Sequence, residues 1–135
     1  RRAFDHFDFH KVAQYTDADI ERLLKDAGIV RHRGKIEAVV NNAGKLLELI
    51  KNEGSFAAYV WRFEPSEKVL TAPQTASRSA ASEAMSKDLR KRGWKFVGPT
   101  TVYAFMQAMG LINDHAEQCA LRLSVENARK KFKRP

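Results

Sequence analysis

Cysteine, proline and glycine are all scarce in this chain of 135 residues. The single cysteine, Cys119, excludes an internal disulfide and leaves that residue as a buried apolar side chain, a reactive thiol or a metal ligand. Four prolines and seven glycines are too few for a low-complexity chain, and no repeat of fixed period is present. No apolar run approaches the roughly 20 residues that a bilayer span requires, and no signal peptide opens the chain, so a cytoplasmic protein, cytosolic or nucleoid-bound, is expected. Acidic residues are in the minority. Sixteen Asp+Glu face 24 Lys+Arg, a net charge of +8, and the pI is near 9.8. Such a balance favours a polyanionic partner, although charge alone is equally compatible with a merely soluble basic protein.

What is present is enough apolar material, 44% of residues, for one cooperative core, so one compact domain is expected. Arg1–Phe7 reads as the end of a helix and has no initiating Met, so an upstream portion is expected in the natural protein. In TDADIERLLKDAG, Thr16 is a candidate N-cap and Asp17 and Asp19 place negative charge in the first turn. Ile20, Leu23, Leu24 and Ala27 then form one stripe, and Gly28 can take the left-handed position that ends a helix. The connector Ile29–Ile36 groups Arg31, His32, Arg33 and Lys35 around Gly34. It leads into an amphipathic helix with Ile36, Val39, Val40, Ala43, Leu46, Leu47 and Ile50 at helical spacing. Cations at the start of a helix run against the macrodipole. A bound phosphate would explain them, and a solvated connector would too.

Ser55 reads as the cap of a shorter helix, Phe56–Phe63, with Phe56, Tyr59, Val60 and Phe63 on its apolar face. Trp61 lies off that face and either packs on a neighbour or stacks on a ligand. Glu64–Arg78, with two prolines and little periodicity, reads as a surface loop. A helix resumes near Ser79 with Ala81, Met85 and Leu89 inward and ends at Gly93 after the basic turn Arg90, Lys91, Arg92. Trp94 and Val97 fill the gap, Gly98 permits a tight turn, and Pro99 opens a new helix where its missing N–H costs nothing. That helix is expected to bury Val102, Phe105, Met106 and Met109. Two helices joined by so short a hairpin leave backbone amides facing outward, a phosphate site with Lys91, Arg92 and Lys95 beside it. The tail Arg129–Arg134 reads as a solvated end.

Together these elements predict an all-α protein. WKFVGPTTVYAFM resembles the hairpin of the helix-hairpin-helix DNA glycosylases. GIVRHRGKI, KRGWKFVG, FMQAMGL and NDHxxxC, in that order, resemble the DNA-3-methyladenine glycosylase I family, over about Phe4 to Cys119. The resemblance implies a compact helical bundle of the helix-hairpin-helix glycosylase type. Residues 1–112 would form the glycosylase core, with the hairpin at 90–102, and residues 113–135 would carry a zinc-ligand pair and the basic tail. It implies a monomeric base-excision repair enzyme that hydrolyses the N-glycosidic bond of 3-methyladenine in alkylated double-stranded DNA, and no membrane partner.

The basic connector, the basic turn and the hairpin together assign Arg31, Arg33, Lys35, Lys91, Arg92, Lys95, Val97, Gly98 and Thr100 to DNA binding. Carried over residue by residue, the resemblance matches His115 and Cys119 to two ligands of one structural zinc ion, the other two being expected outside this chain. Alone, the HxxxC spacing reads as a surface His and a packed Cys; as ligands, the two would share one face of a helical turn. The family's base pocket and its recognising carboxylate come mainly from an N-terminal portion, so no catalytic residue is assigned here. Asp114 is nearest to the superfamily's catalytic Asp, but it stands closer to Gly98 than that pattern expects and reads as a cap of the last helix. Thr100 stands where lyase-active members carry a lysine, which argues against Schiff-base chemistry. Phe96 replaces the first glycine of the common hairpin pattern.

The chemistry implied is undemanding at the bond itself. A 3-methylated adenine is cationic, so its glycosidic bond is already weak, and the main cost is extrusion of the nucleotide, a few kcal/mol of lost stacking. Aromatic faces would favour a cationic base by roughly 0.5 to 2 kcal/mol each. The alternative reading is a non-catalytic module that keeps only the hairpin.

Overall fold

The computed structural model describes residues 1–66 and 73–135. Among the described residues every regular element is helical: a 3-10 turn, Arg2–Phe7, then α1 (Phe9–Val12), α2 (Asp17–Lys25), α3 (Arg33–Glu53), α4 (Phe56–Trp61), α5 (Ala80–Lys91), α6 (Pro99–Ala108) and α7 (Arg122–Lys131). The chain forms two compact units. The first comprises Arg1–Phe56 and Arg90–Phe96, the second Ala57–Leu89 and Val97–Pro135.

The first unit is organised on α3, against which α1 and α2 pack. Its core holds Phe4, Val12, Ile20, Leu23, Ile36 and Ala43, with Val39, Val40 and Leu24 around them. Complete burial of Leu23 or Ile36 stabilises the fold by roughly 1.5–3 kcal/mol each. The α3 stripe is wider than its spacing predicts, because Ala38 and Leu49 are buried as well.

Two expectations at this end are corrected. Arg1–Phe7 is not the end of an α-helix: Asp5, His6 and Phe7 all have positive φ, and the segment turns so that Phe4 stacks on Phe7 at 5.5 Å. The helix opened by Thr16 stops at Lys25, before Ala27 and Gly28. The Asp26 carboxylate accepts the Gly28 N–H at 2.8 Å, an Asx turn that competes with a further helical turn, and Gly28 is not left-handed. The start of α2 is as expected. Asp19 accepts from the Thr16 N–H and hydroxyl, both at 3.0 Å, and these bonds hold its carboxyl below the ordinary range.

In the second unit Tyr59, Val60, Met85, Leu89, Val102, Tyr103, Met106, Leu111 and Ile112 are buried, whereas Met109, expected inward, lies past the end of α6 and is 55% exposed. Tyr59 donates to Asp88 at 2.8 Å, which satisfies its hydroxyl, and Phe63 meets its ring edge-on at 5.4 Å. Trp61 packs on Phe132 at 4.8 Å, with the Arg134 guanidinium 5.3 Å from its ring. Of the loop read at Glu64–Arg78, residues 67–72 lie outside the described residues, and the described remainder carries no regular element. The tail is not a solvated end throughout, because Arg129 and Arg134 both bind Glu64, at 3.1 and 2.8 Å.

Candidate nucleic-acid interface

Arg31, Arg33, Lys35, Lys91, Arg92 and Lys95 all fall in the first unit, where α3 is the scaffold that gathers them. The helix begins at Arg33 because His32 caps it: its Nδ1 accepts the Lys35 N–H at 3.2 Å. The same imidazole meets the ring of Phe96 edge-on, with centroids 6.4 Å apart. Gly34 keeps that approach open, since a Cβ there would stand 3.3 Å from His32 Cε1 and 4.0 Å from Phe96 Cζ. The basic connector and the first half of the hairpin are thereby neighbours.

Two turns along α3, Asn41 and Asn42 hold the hairpin directly. Asn41 Nδ2 donates to the Gly93 carbonyl at 3.0 Å, Asn42 Nδ2 donates to the Lys95 carbonyl at 2.9 Å, and Asn42 Oδ1 accepts the Lys95 N–H at 2.8 Å. Arg92 is anchored to Glu53 at 2.7 Å, and Trp94 stacks on Phe56 with centroids 5.8 Å apart. Arg92–Phe96 is thus fixed at several points along α3 and by Phe56 at the start of α4. Sequence reasoning missed both asparagines, since polar residues beside an apolar stripe read as solvated. Their signal was the adjacent amide pair itself, because the Asn amide carries both donors and an acceptor at the spacing of a backbone N–H and C=O.

The cations divide into two groups. Arg31, Lys35, Lys91 and Lys95 are exposed and carry no ion pair among the described residues. Arg33 instead binds Glu21 and lies 3.7 Å from Glu37, and the hydrogen bond to Glu21 raises its pKa further. Those carboxylates offset the repulsion of a cation at a helix start, so the position of Arg33 is explained within the protein.

The backbone of the turn differs from expectation. Gly98 has φ −62 and ψ 158, an extended conformation open to any residue; the left-handed positions are Gly93, at φ +84, and Phe96, at φ +56. An L-residue in that region costs roughly 1–2 kcal/mol. Phe96 remains 57% exposed, so burial does not offset the cost.

Val97, Gly98 and Thr100 belong to the second unit. The Ser86 hydroxyl donates to the Val97 carbonyl at 2.6 Å and fixes the chain just before Gly98 caps α6 with Pro99 at its first position. Gly98 supplies no side chain to accept the first amides of α6, and helix geometry gives those of Thr100 and Thr101 no partner within the helix. Such amides are suited to an anion.

At the C-terminal end, the segment of His115 and Cys119 is a series of turns rather than a helix, yet His115 Nδ1 and Cys119 Sγ stand 3.5 Å apart. Zn–S and Zn–N bonds of about 2.3 and 2.0–2.1 Å at a tetrahedral angle place two donors about 3.5 Å from each other, so the pair fits one edge of such a site. Among the described residues no cluster of three or more metal-binding side chains occurs. Asp114 does not cap α7, which starts at Arg122. Its carboxylate accepts the Gln74 N–H at 2.8 Å and the Gln107 amide at 2.7 Å. The adjoining cleft of about 240 Å³ is lined by Gln74, Gln107, Ile112, Asp114, His115 and Val125.

The sequence profile of the methyladenine glycosylase family matches residues 1–122. The chain is 47% identical over 123 residues to DNA-3-methyladenine glycosylase 1 of Escherichia coli strain K12, covering 88% of this chain and 66% of that one. It is 40% identical over 128 residues to the DNA-3-methyladenine glycosylase of Haemophilus influenzae, covering 92% and 69%. Among solved structures, 3-methyladenine DNA glycosylase I of Staphylococcus aureus aligns with a TM-score of 0.83 at 37% identity, over 90% of this chain and 66% of that one. The chain therefore spans about two thirds of the length of these relatives, and it belongs to the methyladenine glycosylase family.

Proposed function

We propose that the protein hydrolyses the N-glycosidic bond of 3-methyladenine in alkylated duplex DNA and releases the free base without cutting the strand. The observation that carries this reading is the family match over residues 1–122, which contains the whole hairpin from Lys91 to Thr100. The relatives are named for this activity, and the Staphylococcus aureus structure is described as the basis of 3-methyladenine recognition.

In this reading the residues described here supply binding and positioning. Arg31, Lys35, Lys91 and Lys95 attract the phosphate backbone, and the amides at the start of α6 hold one phosphate. Asn41 and Asn42 hold Gly93 and Lys95 in place before DNA arrives, which lowers the ordering cost of association. Thr100 offers no amine for a Schiff base, in keeping with hydrolysis alone. His115 and Cys119 would hold a structural zinc ion together with two further donors, and the ion would supply a cross-link. The base pocket is not assigned to residues of this chain.

The test is incubation of the protein with methylated duplex DNA, followed by separation of the released bases. Free 3-methyladenine together with abasic but intact strands is the expected result. Tight, salt-sensitive duplex binding with no base released would instead support a non-catalytic DNA-binding module.

A further inference from the structure

Phe96 is an awkward residue for its place. Its backbone is left-handed, where glycine or asparagine is at ease, and its ring is 57% exposed. Neither local conformation nor core packing accounts for an aromatic side chain there. The segment carrying it is held rigidly: Asn42 binds both backbone polar groups of Lys95, at 2.8 and 2.9 Å, and the ring lies edge-on to His32 at 6.4 Å. Exposed cations neighbour the two rings in sequence: Lys95 precedes Phe96, and Arg31 and Lys35 lie on either side of His32.

An exposed apolar ring in a segment rich in exposed cations is complementary to one kind of partner surface, in which anionic phosphates alternate with apolar sugar faces. We propose that Phe96 packs its ring against the deoxyribose face of duplex DNA beside the phosphates held by Lys95 and Lys35. The proposal rests on the duplex-binding reading above and deepens it by assigning a non-ionic contact. Such a contact releases no counterions, so it contributes affinity that is independent of salt, whereas each phosphate contact by a lysine contributes to the salt slope. The ring is a positioning element for the duplex and takes no part in bond cleavage.

The experiment is a titration of undamaged duplex DNA at several salt concentrations with the protein, Phe96→Gly, Phe96→Asn and Lys95→Ala. Glycine and asparagine both accept the left-handed backbone, so the turn survives, and circular dichroism melting confirms that each variant is folded. Both Phe96 variants should weaken binding by roughly ten-fold, the order expected from losing partial burial of one aromatic ring, with the slope of log K against log salt unchanged. Lys95→Ala should instead lower that slope by about one. Binding by both Phe96 variants within two-fold of the parent would overturn the proposal, as would a changed salt slope. If the parent itself binds no duplex, the DNA-binding reading fails, and this is distinguishable because no variant comparison is then needed.

Discussion

Asn42 of α3 binds Lys95 as one extended strand would bind another: its Nδ2 donates to the Lys95 carbonyl at 2.9 Å and its Oδ1 accepts the Lys95 N–H at 2.8 Å. Neither backbone group of Lys95 has a partner in regular structure. Asn42→Ala removes both bonds at once, and each contributes about 0.5–1.5 kcal/mol. The expected outcome is a destabilisation of roughly 1–3 kcal/mol by urea titration together with faster amide exchange at Lys95. Unchanged protection of that amide would show that the hairpin holds its shape without the clamp.

The cations of the patch should differ in their effect on DNA. Lys35 and Lys95 carry no ion pair among the described residues, whereas Arg33 already binds Glu21 and lies near Glu37. Lys35→Ala and Lys95→Ala should each lower the salt slope of duplex binding by about one. Arg33→Ala should lower it by less and should loosen the tie between α2 and α3. Equal slopes for the three variants would remove the distinction drawn from their ion pairs.

At the start of α2, the backbone N–H and hydroxyl of Thr16 lower the pKa of Asp19 below its ordinary 3.8. A carboxyl whose folded pKa is depressed contributes stability that is present above the unfolded value and is lost as pH falls through the folded one. The capping contribution is therefore complete at neutral pH and disappears in acid, below about pH 4. An NMR titration should place the Asp19 midpoint below 3.8, and Asp19→Asn should flatten the stability profile in that acid window. A midpoint at or above 3.8 would refute the capping arrangement.

The edge formed by His115 Nδ1 and Cys119 Sγ at 3.5 Å gives a test of zinc that does not depend on activity. Zinc added to the protein should slow alkylation of Cys119, because a coordinated thiolate is shielded, and a chelator should restore the rate. His115→Ala should abolish the protection. Zinc with no influence on the alkylation rate would count against the ligand pair.

How much of this was legible in the sequence depends on what each residue answers to. The Thr16 cap, the Gly93 helix end, the Pro99 helix start and the α3 stripe answer to rules that act within one or two turns, and the structure bears them out. The hairpin motif was legible as a string. Its left-handed residue was not, because Phe96 stands where glycine would have announced the conformation and Gly98 stands where none is needed. The early stop of α2 turned on a side-chain bond from Asp26, two residues before the glycine that looked decisive. Asn41 and Asn42 act on residues some fifty positions away, a relation that no local pattern encodes. The same is true of the tail: Arg129 and Arg134 looked solvated because Glu64, their partner, lies 65 and 70 residues earlier.

That tail lies beyond the family match, which ends at residue 122, and its two arginines should prove unequal. The Arg129 side chain is 10% exposed, binds Glu64 at 3.1 Å and donates to the Gly110 carbonyl at the end of α6; its Nε is 3.7 Å from Glu126, too far for a hydrogen bond. Arg134 binds the same Glu64 carboxylate at 2.8 and 3.0 Å but is 38% exposed. Removal of Arg129 leaves the Gly110 carbonyl and part of the Glu64 carboxylate short of a donor inside the protein, a loss of about 2–4 kcal/mol for a largely buried pair. Removal of Arg134 breaks a more solvated pair, for which about 0–1 kcal/mol is usual. Arg129→Met should therefore shift the urea midpoint several times further than Arg134→Met, and Glu64→Gln should fall between them. If the two arginine variants lose equal stability, α7 is held by its apolar contacts, Phe132 on Trp61 foremost, and the Glu64 cluster adds little.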